Sequence, residues 1–250
     1  MMQKTVAWFS GGGSSAVAIK LLIGEIDEII YIHIDDQHPD TLRFVRQCAM
    51  WFGKPVKILQ SSLKTVEAAC LSAGGRGYIN GPKGAACTRQ LKRLVRSQWE
   101  YEQPLDTKLR YVWGMDCNEV DRLGGKDGLR VKMPDKEHVC PLIDKEMEKA
   151  DAHKVMTASC IKRPAMYDLG YLNNNCVGCV KGGMGYWNKI RVDFPEVFAQ
   201  RAVMERQIQA TCLKETDGTR LYLDTLDPKR GRKDKPIVED CGIMCELMAI

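Results

Sequence analysis

The chain has 250 residues, a formal net charge of +5, and 44% hydrophobic and 28% charged residues. That length can bury a substantial core, as one large domain or one domain with an appendage. No apolar run is long enough to span a bilayer, and the opening MMQKTVAWFSGGG lacks a signal peptide's order of charge, apolar core and cleavage site, so a cytosolic protein without membrane contact is expected. The mild positive charge fits phosphorylated substrates or nucleic acid without singling out either.

Thr5 to Lys20, TVAWFSGGGSSAVAIK, carries the first chemical signal. An apolar run stops at Ser10, three glycines follow, and Ser14 and Ser15 open a segment with Ala16, Val17, Ile19 and Leu21. This order reads as buried strand, tight turn and helix start. Glycines let the backbone approach an anion, and the first N–H groups of the helix point at it. Ser10, Ser14 and Ser15 add hydroxyls, so Ser10, Gly11, Gly12, Gly13, Ser14 and Ser15 form a candidate cradle for phosphate, pyrophosphate or sulfate. No Gly-Lys-Ser/Thr follows and the spacing G-x-G-x-x-G is absent, which excludes the two commonest nucleotide loops.

Further along, EIDEIIYIHID predicts a β-branched strand ending at Asp35-Asp36, and HPDTLRFVRQCAMWFG a helix with Leu42, Val45, Cys48 or Ala49, and Phe52 on one face, closed by Gly53. PVKILQ predicts a third strand. From Ala73 the pattern loosens into a Gly-rich loop, and from Cys87 a basic helix carries Arg89, Lys92, Arg93 and Arg96. LRYVWGMD predicts another strand, followed by Arg122, and a helix is expected to begin near Asp144. KRPAMYDLGYLNNNCVGCVKGG reads as loop and VFAQRAVMERQIQATC as an amphipathic helix. Strands alternating with helices imply an α/β fold, a doubly wound and mostly parallel sheet with helices on both faces. Ligands on such sheets bind at the carboxyl ends of strands, where the Ser10 loop and Asp36 both fall. Lys92 and Arg122 are candidates to neutralise phosphate charge, against the alternative of solvated helix faces. The run KRGRKDK reads as a solvated loop, with nucleic-acid binding as the alternative.

Eleven cysteines are the compositional anomaly. The count is odd and no export signal precedes them, so a disulfide framework is not expected. Cys48, Cys70, Cys117 and Cys160 sit in apolar or helical surroundings and read as small core residues. Cys176 and Cys179, as Cys-x-x-Cys, have the spacing of a metal knuckle or a redox dithiol, and Cys241 and Cys245 form a looser second pair. Four thiolates from two such pairs suit zinc or a [4Fe–4S] cluster, with Cys87 a fifth candidate ligand. A structural zinc alone is the plain alternative.

Several blocks in order resemble the phosphoadenylyl-sulfate (PAPS) reductase family of the PP-loop, or adenine-nucleotide alpha-hydrolase, superfamily: SGGGSS, IDDQHPDTLRFV, ACTRQLKRL, WGMDCNEVDR, CPLID with YDLGYLNNNCVGC, and EDCGIM. The resemblance implies a Rossmann-like, PP-loop adenine-nucleotide domain over residues 1–170 and a Cys-rich C-terminal segment over 171–250. It implies an adenine nucleotide, PAPS, adenylyl sulfate (APS) or ATP, on the Ser10 loop, Asp36, Lys92 and Arg122. It also implies Cys241 as the catalytic thiol and a thioredoxin-like dithiol donor. The chain departs from the family in having Ala86-Cys87 where some members carry two adjacent cysteines, Met244 at a histidine position, and an added Cys245. It therefore resembles a divergent member. Three functions remain open from sequence: thiol-dependent reduction of the sulfonucleotide to sulfite; ATP-dependent sulfur transfer or adenylation on tRNA or DNA; and a zinc-stapled nucleotide- or nucleic-acid-binding module without catalysis.

Overall fold

The computed structural model describes residues 2–81, 84–126 and 128–232. In chain order the elements are β1 (Met2–Phe9), α1 (Gly13–Leu21), β2 (Glu28–His33), α2 (Asp40–Phe52), β3 (Val56–Gln60), α3 (Val66–Ser72), β4 (Asn80–Gly81) and β5 (Gly84–Ala85). A π-helical turn at Thr88–Arg93 leads into α4 (Leu94–Tyr101) and β6 (Thr107–Val112). Then come α5 (Val120–Gly124), α6 (Leu129–Lys132), β7 (Glu137–Val139), α7 (Pro141–Asp144), α8 (Lys149–Ala158) and α9 (Ala165–Asp168). The last are α10 (Met184–Asp193), α11 (Pro195–Ile208), β8 (Leu213–Lys214) and β9 (Arg220–Leu221).

The chain forms two compact units: Met1–His33, Pro39–Leu59 and Arg96–Gly170 make one, and Ile34–His38, Gln60–Val95 and Tyr171–Ile250 the other. The first holds a sheet of order β3-β2-β1-β6-β7, with β1 parallel to β2 and β6, and β6 parallel to β7. Alternate residues of β1 face opposite ways. Ala7 and Phe9 join Val17, Phe44, Phe52 and Met156 in one apolar layer built with α1, α2 and α8. Trp8 meets Trp99 of α4 edge-on at 5.5 Å and Tyr111 at 5.9 Å on the other face. Helices therefore cover both faces, as the alternating pattern predicts. The chain winds one way through β2 and β3 and returns beside β1 at β6, so the topological switch lies between β1 and β6.

Two polar clamps complete this unit. Asp40 takes a two-bond fork from Arg43 (2.8 and 2.7 Å) and accepts from the Ala165 N–H, while Arg43 also donates to the Lys162 and Arg163 carbonyls. The acid of the HPDT block thus fastens the start of α9 to α2. Behind β6, the Trp113 indole N–H donates to His138 Nδ1 at 3.0 Å, and His138 Nε2 lies 2.9 Å from the Met133 carbonyl. Only a neutral imidazole protonated at Nε2 satisfies both partners. Burial, ahead of the nearby Arg130 and Arg96, holds this imidazole below its ordinary pKa.

In the second unit Ile34, Val66, Cys70, Ile79, Cys87, Leu91, Cys176, Met204 and Ile208 share one apolar core. Asn80–Gly81 and Gly84–Ala85 pair as a small antiparallel ladder, where the sequence predicts only loop.

Several expectations need correction. The helix expected near Asp144 is two: α7 ends there, and α8 starts at Lys149 under a capping box of Glu148 and Asp151. β7 and α10 were not legible, one for its three-residue length and the other because glycines break its apolar spacing. The basic helix after Cys87 opens as a π-turn, with the Leu94 N–H reaching the Arg89 carbonyl. Cys48 and Cys70 are buried as expected, with burial pushing both thiol pKa values up, but Cys117 is only half-buried and Cys160 is exposed, at a positive φ just past the end of α8. Cys241, Cys245 and Met244, with the end of the basic run, lie outside the described residues. Among the described residues no helix is long and apolar enough to cross a membrane.

Candidate functional site

The loop after β1 has the geometry its composition suggests. Gly11 sits at φ +79°, a left-handed conformation open to glycine at little cost. Gly12 is the extended N-cap of α1 and has no side-chain cap. Ser15 Oγ lies 2.9 Å from the Gly12 carbonyl, to which it donates, and 2.8 Å from Ser10 Oγ. With one proton per hydroxyl, Ser10 is then the donor to Ser15, while its oxygen accepts from the Gly12 N–H. Both protons close the loop on itself. Ser14 is buried at the first turn of α1, 6% exposed.

The walls of the loop come from elements the sequence did not mark. A Cβ on Gly114, beyond the end of β6, would lie 2.3 Å from Ser15 Cα and 2.6 Å from its nitrogen. Only glycine permits that approach, which brings the switch point of the sheet against the first turn of α1. The Gly13 N–H donates to the Tyr167 hydroxyl at 3.3 Å, and a Cβ on Gly13 would meet Met156 Cε at 2.6 Å and the His153 ring at 3.3 Å. His153 packs edge-on against Tyr167 at 4.6 Å, and its buried Nε2 has no hydrogen-bond partner among the described residues. Burial first, then Arg163 and Lys149, lowers the pKa of this imidazole, favouring the neutral form. Gly114 and Tyr167 fall in the sequence blocks WGMD and YDLGY, but nothing in those blocks announces these contacts.

The other expected residues distribute between the units. Arg122, on α5 of the first unit, is 9% exposed and pairs with Glu119, whose carboxylate also accepts from the Asp116 N–H. Arg96, grouped in sequence with the basic helix, is buried in the same unit and pairs with Glu100 at 3.3 Å. Asp36 belongs to the second unit. One of its oxygens pairs with the buried Arg201 of α11, and the other accepts from the Val66 N–H at 2.7 Å, at the start of α3. Lys92 is half-buried in the π-turn of that unit, and Arg89 is exposed beside a cavity of about 690 Å³ lined also by Gly74, Gly77, Tyr78 and Gly84.

Cys87, Cys176 and Cys179 are all buried in the second unit. Among the described residues no group of three or more Cys, His, Asp or Glu side chains is arranged to hold a metal. Two soft thiols from one turn fit a thiophilic cation in donor chemistry, and a four-thiolate site would need donors beyond those residues.

No family model matches the chain, and no curated protein matches it. Among solved structures, it is similar to phosphoadenylyl-sulfate (PAPS) reductase from Candida auris, in a phosphate complex. The TM-score is 0.46 at 14% sequence identity, over 67% of this chain and 78% of that one.

Proposed function

We propose that the protein is a PAPS reductase-like enzyme that binds an adenine sulfonucleotide, PAPS or APS, and reduces it to sulfite with thiols. The observation that carries the nucleotide reading is the loop of the first unit: a strand end, a left-handed glycine, an uncapped helix start and a glycine-enforced approach from β6, at the carboxyl edge of a parallel sheet. The order of the six sequence blocks supports the sulfonucleotide reading. Ser14 and the N–H groups at the start of α1 are the groups assigned to the anion, and Arg122 of the same unit is proposed to balance its charge.

In the proposed reaction the Cys241 thiolate attacks the sulfur of the sulfonucleotide. The sulfur–oxygen bond to the phosphate breaks, the nucleotide leaves as its phosphate, and an enzyme S-sulfonate remains. A thiol of a thioredoxin-like protein then attacks the cysteine sulfur of that adduct. Sulfite departs with the bonding electrons, and the resulting mixed disulfide is resolved by the donor's second thiol. A cluster or zinc held by Cys87, Cys176, Cys179 and Cys245 would hold the C-terminal segment and leave the Cys241 thiol free to attack.

The test is calorimetric titration of anaerobically purified protein with PAPS, APS and ATP–Mg²⁺ in parallel, followed by sulfite assay with reduced thioredoxin. Tight sulfonucleotide binding, weak ATP binding and sulfite release abolished by Cys241→Ser are expected. Preference for ATP–Mg²⁺, with pyrophosphate release stimulated by tRNA or DNA, would overturn the reductase reading.

A further inference from the structure

Residues 68–99 of the sequence contain no aspartate or glutamate, yet they carry Arg76, Lys83, Arg89, Lys92, Arg93 and Arg96. A run of one sign needs counter-charge from elsewhere. Arg96 finds it in Glu100, and Arg43, Arg110, Arg201, Arg206 and Arg230 each hold a carboxylate as well. Arg89 is exposed, and its guanidinium makes no hydrogen bond or ion pair among the described residues. It stands at the cavity of about 690 Å³ in the second unit, a volume in the range of small-ligand sites. The other two polar side chains lining that cavity, Tyr78 and Gln90, also end without a partner among the described residues, and no carboxylate lines it.

The walls are set by the fold. Gly77, at φ +82°, passes so close to α11 that a Cβ there would stand 2.8 Å from Ile208 Cγ1. The Tyr78 N–H donates to the Cys70 carbonyl at 2.8 Å, and the Ala86 N–H to the Ile79 carbonyl at 3.0 Å. The Tyr78 hydroxyl lies over Gly81 of β4, where any Cβ would collide with it. Ile79, Ala85 and Ala86 root this segment in the apolar core. Arg89 and Gln90 come from the π-helical turn, a backbone form frequent at functional sites.

Glycine and alanine walls leave peptide faces open to close approach, the tyrosine ring offers a stacking surface, and the guanidinium adds one unopposed positive charge. A flat heterocycle with a phosphate beside it fits this set. The one-signed stretch around the cavity favours a polyanion over a free nucleotide.

We propose that this cavity is a base pocket for single-stranded nucleic acid. Tyr78 stacks on an unpaired base, Gln90 hydrogen-bonds its edge, and Arg89 pairs with the adjoining phosphate. A base inside a duplex is stacked on both faces and cannot enter. RNA and DNA share the chemistry that is read. The assignment rests on the second unit alone and does not depend on what the Ser10 loop binds.

The experiment is fluorescence anisotropy of the full chain with short labelled RNA and DNA single strands, their duplexes, and AMP as competitor, over a range of salt concentrations. At least one single strand should bind more tightly than its duplex, and AMP should compete weakly. Tyr78→Ala should weaken single-strand binding by about five- to 150-fold, the range for a lost base–aromatic stack, and Tyr78→Phe should stay within about twofold of the parent. Arg89→Gln should weaken binding and reduce the slope of log affinity against log salt by about 0.7, one phosphate contact on a single strand. Pyrophosphate affinity should be unchanged in all three variants.

Duplexes bound as tightly as both single strands, or parent-like affinity in Tyr78→Ala and Arg89→Gln, would overturn the proposal. So would AMP matching the oligonucleotides, which would make the cavity a mononucleotide site. Loss of pyrophosphate affinity in Tyr78→Ala would overturn it too, by joining the cavity to the anion site. If Tyr78→Ala lowers the melting temperature sharply, Arg89→Gln, a change at an exposed side chain, decides.

Discussion

The Gly-rich loop of the first unit and the Cys-x-x-Cys turn of the second are both tight turns, built on opposite terms. In the loop, the serine hydroxyl protons are turned inward and α1 begins without a side-chain cap. In the turn, the Val177 and Cys179 N–H groups and the Cys176, Gly178 and Cys179 carbonyls all have partners within the protein. The difference follows from which atoms do the chemistry. In the loop the Gly12 and Gly13 N–H groups meet side-chain hydroxyls at 3.4 and 3.3 Å, long contacts that an anion can displace, whereas a turn that acts through thiols can have its backbone fully engaged.

The largest expected effect breaks the turn. Arg201→Met leaves Asp36 buried beside an apolar side chain and should cost about 3–5 kcal/mol of stability in urea melts. Asp36→Asn combined with Arg201→Met removes both charges and should recover much of that loss. A double variant no more stable than the single would mean the charge pair is not what holds α11 to the turn.

Gly114→Ala attacks the loop. Its methyl group would overlap the Ser15 backbone, which cannot move without shifting α1. A loss of about 1–3 kcal/mol is expected, with pyrophosphate binding at the loop lost in calorimetry. Intact binding in that variant would place the anion elsewhere.

A third measurement separates the units by pH. The imidazoles of His138 and His153, both in the first unit, are held below their ordinary pKa chiefly by burial. The unfolded chain therefore binds more protons than the folded one as pH falls through the ordinary histidine range. Their contribution to stability is fully present above that range and declines on acidification. The urea midpoint should drop between pH 7.5 and 5.5, and His138→Gln should flatten the drop. An unchanged slope in that variant would remove His138 from the account.

The smallest effect is expected from Tyr167→Phe. It removes one hydrogen bond from the Gly13 N–H, for about 0.5–1.5 kcal/mol. Because that N–H then becomes available to an anion, affinity for pyrophosphate should hold or rise. A fall would make the Tyr167 hydroxyl itself a ligand.

The sheet was legible because its strands are apolar runs separated by helical spacings, and Gly53 marks the end of α2 with a left-handed φ of +66°. The loop was legible because glycine composition and backbone availability are the same fact seen twice. Less visible was everything that depends on contacts distant in sequence. Tyr167 reaches Gly13 across 154 positions, and nothing local to either residue announces it. Arg201 lies on a segment whose sequence reads as an amphipathic helix, yet it is among the largest fully buried side chains. Periodicity assigns a residue to a face, but a buried charge is defined by its partner, and the partner lies in another segment.

The ion pair between Asp36 and Arg201 spans 165 positions. On a ribosome adding about 5–20 residues per second, Asp36 emerges roughly ten to thirty seconds before the arginine that neutralises it. Residues 34–38 leave the exit tunnel early, flanked by stretches of the first unit, while α11 is among the last helices made. The second unit therefore cannot close until synthesis is nearly complete, and during that interval Cys70 and Cys87 wait for the segment that will cover them. A nascent chain stalled before Arg201 should carry an ordered sheet and an unfinished thiol compartment.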